Sequence, residues 1–232
     1  MAEPVKGKSE AGRRREERAH QTRRRIVDAA IGLFVERGYV ATTVGAIAVE
    51  AGVAPATVYQ AFGTKQAILA RALDVTVAGD TKPVALLDRT WVTRARAEPD
   101  GAGRLAIVVR HAALVAARTA AIKQVMSDAA ASEPNVRDLI RVDTERRYIT
   151  QQALIDLVIE ARPLRPGMDR DNATATFFAV VNSETYRLLV EHLGWSTNQW
   201  QRWLVDVLKR QLFDLDAPRP RERRARHRQL RL

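Results

Sequence analysis

Cysteine is absent from the 232 residues. That removes disulfide frameworks, thiol redox chemistry and Cys-ligated zinc, and makes a cytoplasmic setting the economical expectation. Long apolar runs are missing too. The longest uncharged stretch, residues 51–64, falls short of the roughly eighteen apolar residues of a spanning helix, and arginines crowd the N-terminus where a secretory signal would need an apolar run. No membrane passage is expected. Strand-type alternation and internal repeats do not occur, so the expected class is all-α.

Catalytic constellations are equally scarce. The four histidines (20, 111, 192 and 227) are scattered, with no His/Asp/Glu set at metal spacing, no Gly-rich phosphate loop and no nucleophile elbow after a strand. The chain is therefore expected to be no enzyme and to need neither cofactor nor metal.

Positive charge is plentiful, and its placement matters more than its total. The net charge is +11, with an excess of five in residues 1–25 and of six in residues 217–232; the 191 residues between carry 22 charges of each sign. Tails of this kind are either solvated, disordered segments or arms that strengthen binding to a polyanion without choosing its sequence.

From Thr22 the chain turns helical, with Ile26, Ala30, Leu33 and Phe34 at i, i+4, i+7 and i+8 on one buried stripe. Gly38 marks the end of that helix. Thr43 reads as the N-cap of a short second helix whose inward residues are Val44, Ile47, Ala48 and Ala51, and Gly52 closes it. Pro55 opens a third, where the missing N–H costs nothing, with Val58 and Phe62 turned inward before Gly63. Helices this short do not persist alone in water, so they must pack on each other and on the first. Thr64 caps a fourth helix, running to about Ala78.

Beyond the Gly- and Pro-bearing segment 79–89, the expected helices are 88–97, 103–118, 120–131, 136–161, 170–193 and 197–212. The domain reading is a basic flexible arm at 1–21, a head at 22–78, a helical body at 79–216 and a basic tail at 217–232.

The order "RRRIVDAAIGLFVERGY", "TTVGAIAVEAGVAPATVYQAF" and "GTKQAIL" resembles the DNA-binding head of the tetracycline-repressor (TetR) family over roughly residues 22–70. The weaker echo "ETYRLLVEHLGWS … WQRWLVDVL" is similar to the last two helices of many members. The resemblance implies a three-helix head with a helix-turn-helix at about 43–62, joined to a C-terminal helical ligand-binding and dimerisation domain. It also implies a homodimer on a near-palindromic double-stranded DNA operator, most often a repressor released by a small-molecule effector. The alternative is a helical small-molecule-binding or enzymatic protein whose head is a protein-interaction module.

With Val58 and Phe62 inward, Pro55, Ala56, Thr57, Tyr59 and Gln60 remain for the outer face of the third helix. Gln60 suits an adenine edge, and Thr57 offers a hydroxyl or a methyl for thymine. By resemblance the hydroxyls of Tyr59, Thr42 and Thr43 lie at phosphates; otherwise the threonines are ordinary caps and Tyr59 a half-buried aromatic. Lys65 faces the positive end of a helix dipole, an unfavourable place that a DNA phosphate would offset. Ala54 and Ala61 depart from the commoner family pattern, and the arginines at 13–15 and 23–25 are candidates to supply a missing phosphate contact.

In the body, Trp200, Trp203, Leu204, Val207, Leu208 and Gln211 form a wide seam on the last helix, and Phe177, Phe178, Val181 and Leu188 add a second. The seams are either a dimer interface of four-helix type, as the resemblance implies, or the core of a single chain. Trp91, His111, Met126 and Tyr148 are candidates to line an effector pocket, or else are ordinary core.

Overall fold

The computed structural model describes residues 10–79 and 88–214, and every regular element among them is helical. Two compact units divide the described residues: one holds 10–75 with 121–139, the other 76–79 and 88–120 with 140–214. The basic tail 217–232 lies outside the described residues.

In the first unit, α1 (Glu10–Ala41) is longer than its apolar stripe suggests. Residues 10–21, expected as an arm, continue the helix upstream, with Arg14 and Glu10 paired at i, i+4. Helix-favouring residues and such pairs extend a helix past the part that packing requires. Gly38 interrupts it at φ 78°, ψ 165°, a backbone glycine adopts without a Cβ penalty. The stripe then buries Ile26, Ala30, Leu33 and Phe34 as its spacing predicts, with Val27 buried beside them. Against it lie α2 (Val44–Glu50), α3 (Pro55–Phe62) and α4 (Lys65–Ala78), which contribute Ile47, Ala48, Val58, Ile68, Leu69, Ala72 and Leu73 to the buried set.

The second unit draws its core from α5 (Thr90–Ala97), α6 (Gly101–Ala129), α7 (Pro134–Ile159), α8 (Arg170–Val180) and α10 (Thr197–Leu212). One continuous α6 replaces the two helices expected at 103–118 and 120–131, because nothing between Arg118 and Ala121 breaks a helix. Its length and composition would suffice to cross a membrane, an outcome the count of uncharged residues did not anticipate. Part of its apolar surface is packed: Leu105, Val108, Val109, Ala113 and Ala116 all lie in the core, while Leu114 is exposed.

The helix expected at 170–193 is divided. α8 stops at Val181 (ψ 83°), Asn182 caps the single turn α9 (Ser183–Tyr186) through Thr185 N, and a π-helical turn follows over Arg187–His192. Asn182 and Thr185 offer side-chain bonds that compete with helical ones: Asn182 Nδ2 donates to Ala179 O, and Thr185 Oγ1 to Val180 O. Asparagine and threonine inside an otherwise apolar periodic run are the sequence mark of this break.

Arginine 104 shows how the unit is tied. Nearly buried, it donates to Glu98 O at 3.1 Å and 3.0 Å, to Arg96 O at 3.0 Å and to Leu157 O at 2.8 Å, and pairs with Glu160 at 3.4 Å. The C-terminal ends of α5 and α7 are thereby held to the first turn of α6.

The seam on α10 splits into two stripes. Trp200, Leu204, Leu208 and Leu212 are fully buried among residues of their own chain, as is nearly all of Val181. These take the single-chain-core alternative, since the four-residue spacing aims them at α8. Trp203 and Val207 stay half-buried, while Gln211 and Leu188 are exposed. Leu204→Ala should accordingly lower stability by about 2–5 kcal/mol, and Val207→Ala should cost far less per chain, as urea denaturation of the two variants at one protein concentration will show.

Candidate nucleic-acid interface

The first unit builds a helix-turn-helix from α2 and α3. Thr43 adopts an extended backbone at the N-cap of α2, and its Oγ1 accepts from Ala46 N at 3.1 Å. Gly52, at φ 62°, makes the turn that ends the helix. Ala54 occupies the N-cap of α3 without a side-chain bond, so Pro55 alone favours the start of that helix.

The turn is fastened from outside the motif. Arg25 on α1 donates to Ala51 O from Nε at 3.1 Å and from Nη2 at 2.6 Å, and to Gly52 O at 2.9 Å. A guanidinium fork is matched to two adjacent carbonyls in this way, at the negative end of a helix. Arg25, expected among the phosphate-seeking arginines, is thus committed to the turn. Its separation from that turn by 26 residues left no sequence signal for this role.

The outer face of α3 is open. Pro55, Ala56, Tyr59 and Gln60 are exposed and Thr57 is half-buried, while Val58 is 1% exposed and Phe62 half-buried. The exposed face carries no formal charge. Thr42 and Thr43, paired in the sequence reading, separate here. Thr42 is fully buried and its hydroxyl bonds inward to Gly38 O at 2.7 Å and Leu33 O at 3.1 Å, whereas Thr43 stays exposed.

Lys65 occupies the first turn of α4 and has partners within the chain. Its Nζ donates to Tyr39 O at 2.9 Å and lies 4.2 Å from the centre of the Tyr39 ring. Burial lowers its pKa, partly offset by the Glu133 carboxylate. The unfavourable dipole is therefore balanced by the carbonyls that end α1 and by the tyrosine face.

Among the pocket candidates, Trp91 and His111 stack at 4.4 Å and 14°. Tyr148 meets Phe178 edge-on at 5.5 Å and helps line a cleft that includes neither Trp91 nor His111. Met126 is buried within the first unit. No group of three or more His, Cys, Asp or Glu side chains suited to a metal occurs among the described residues.

With this geometry in hand, residues 26–72 match the model of bacterial regulatory proteins of the tetR family. The head is thereby one of the tetR type. No curated protein sequence matches the chain. Among solved structures, the chain is similar to the transcriptional regulator FadR of Bacillus subtilis in complex with stearoyl-CoA, with 21% identity over 79% of this chain and 96% of that one, TM-score 0.62. It is similar to NalD, the secondary repressor of the MexAB-OprM multidrug efflux pump in Pseudomonas aeruginosa, with 19% identity over 87% and 100%, TM-score 0.63. It is also similar to a protein of Saccharomonospora viridis in complex with choline, with 23% identity over 83% and 97%, TM-score 0.61. Identities this low establish a shared fold, a TetR head followed by a helical body.

His111 gives the second unit a testable pH response. Burial first, then Arg110, Arg94 and Arg118, lower its pKa below the ordinary 6.5. In the unfolded chain it takes a proton near that value, whereas in the folded chain it stays neutral to lower pH. The unfolded state binds more protons in that window, so stability falls as pH drops from 6.5 toward the folded pKa, and rises again with pH. Melting curves from about pH 7.5 to 5 should show this fall, and His111→Phe should flatten it; an unchanged slope in the variant would exclude His111 as its source.

Proposed function

We propose that the chain is a cytoplasmic, sequence-specific DNA-binding regulator: a homodimer on a near-palindromic operator, acting as a repressor that a small-molecule effector releases. The observation that carries this reading is the uncharged, exposed face of α3. It is held on a head whose buried side anchors it through Val58, with the turn before it clamped by Arg25. A rigid helix with a polar face is what a major groove admits, and an uncharged face leaves base-edge hydrogen bonds to choose the sequence.

In this reading Gln60 and Thr57 meet base edges, with Pro55 and Ala56 packed close to the groove. Tyr59 and Thr43 offer exposed hydroxyls to phosphates, which fix register without reading sequence. Thr42 supports the same corner from inside. Lys65 locks α4 to the end of α1 and presents its remaining positive charge to the backbone of the duplex.

The half-exposed stripe of α10, Trp203, Val207 and Gln211, together with exposed Leu188 and Leu193, is the surface we assign to a second copy, with Phe178 at its edge. Two heads must then lie about 34–36 Å apart to enter successive major grooves. An effector that favours a different body conformation shifts the population away from that spacing, and regulation is the difference in its affinity for the two states.

Gel-shift titration against a selected operator separates the roles. Gln60→Ala should relax preference at one base position and leave non-specific binding unchanged. Lys65→Met should weaken all sequences alike and lessen the salt dependence, with circular dichroism confirming that the head remains helical. Equal effects of the two on specificity would count against the assignment. Val207→Glu should shift the protein from dimer to monomer in sedimentation and lose operator binding by at least tenfold; a variant that stays dimeric refutes the α10 interface.

A further inference from the structure

The buried Arg104 has several carbonyl partners. Arg147 on α7 differs. Its Nε is buried without a hydrogen-bond partner, its guanidinium carbon lies 3.9 Å from the centre of the Phe178 ring, and it forms no ion pair among the described residues. Burial lowers its pKa, and Glu184 and Asp143 offset this only through space.

One helical turn later the buried Gln151 donates from Nε2 to Val181 O at 3.4 Å, and its Oε1 has no partner. Two residues beyond Val181, the nearly buried Ser183 leaves its Oγ unpartnered as well. The break between α8 and α9 therefore faces one cationic donor, one hydroxyl and one amide oxygen, all unsatisfied. Buried polar atoms are normally paired, and several unpaired ones in one neighbourhood mark a place where a further group binds.

The other side of Phe178 is apolar. Its ring meets Tyr148, and both line a cleft of about 560 Å³ with Thr144, Glu145, Ile149 and Ala175. The cleft is open on its outer side, so it covers one face of a small molecule rather than enclosing it. A polar nook and an apolar cleft thus meet at one aromatic ring.

We propose that this α7–α8 site takes an organic anion, whose carboxylate receives hydrogen bonds from Arg147 and Ser183 and whose apolar body lies against Phe178, Tyr148 and Ile149. The proposal names the effector class for the ligand-controlled reading above and rests on it for its regulatory consequence. The fold does not make this choice, since related structures hold choline in one case and stearoyl-CoA in another. Arg147 does: a guanidinium stacked on a ring of the cleft, with its buried Nε unpartnered, opposes a quaternary ammonium and favours a carboxylate, which its fork geometry matches.

Calorimetric titration of the full chain with decanoate, 4-phenylbutyrate, decanol and decyltrimethylammonium, each below its micellar range, tests the proposal. At least one carboxylate should bind, and tenfold or more tightly than the alcohol and the ammonium. Arg147→Met should weaken that binding at least tenfold and Ser183→Ala a few-fold, with Arg147→Lys restoring part of the loss. Should Arg147→Met fail to fold, Ser183→Ala and the ligand series in the parent decide. The proposal is overturned if neither carboxylate binds, if decanol or the ammonium binds as well, or if both variants bind the carboxylate like the parent. Adding the bound carboxylate to the operator complex separates the two readings: Arg147-dependent binding without release of DNA upholds the site and refutes effector-released repression.

Discussion

Every helix ends with carbonyls that its own backbone cannot serve, and in this chain long cationic side chains from elsewhere in the fold serve many of them. Arg25 closes α2, Arg104 closes α5 and α7, Arg118 donates to Val77 O at the end of α4, Arg137 to Ala130 O after α6, and Arg165 to Gln211 O at the end of α10. Lys65 does the same for α1. The architecture depends on this device because it has no sheet among its described residues to take up the unpaired groups. A cation at a helix C-terminus also meets the favourable end of the dipole, so each contact combines a hydrogen bond with a charge effect.

The same device explains how much of the molecule was legible in the sequence. Periodicity and caps identified the inward face of α1, the N-cap at Thr43, the opening of α3 at Pro55 and the capping residue of α4, because these are local patterns with a physical cause within four residues. The open face of α3 followed from knowing which residues point in. The role of Arg25 did not, since its partners lie 26 and 27 residues away and an arginine in a basic stretch looks alike whether it meets a carbonyl or a phosphate. Lys65 is intermediate: its awkward position signalled a partner, and the structure supplies Tyr39.

The body was less legible for a different reason. A seam of apolar residues on α10 has two neighbouring stripes, and composition alone does not tell which meets α8 and which faces outward. The division at Asn182 hid inside an apolar run, because a helix break made by side chains that mimic backbone bonds needs neither glycine nor proline. Arg147 carried no signal at all in sequence, being one of several arginines on α7; only the absence of a carbonyl beside it, where Arg104 has several, sets it apart.

The clamp at Ala51 and Gly52 bears on how the head could be moved between proteins. The angle between α2 and α3 is fixed by a side chain that stands well upstream of both, on a helix that runs from Glu10. A twenty-residue graft carrying only Thr43–Phe62 would take the reading face with it and leave its hinge pin behind. The smallest transferable piece is the one that includes Arg25, so the head is heritable as a unit of three helices and resists being shuffled in smaller parts.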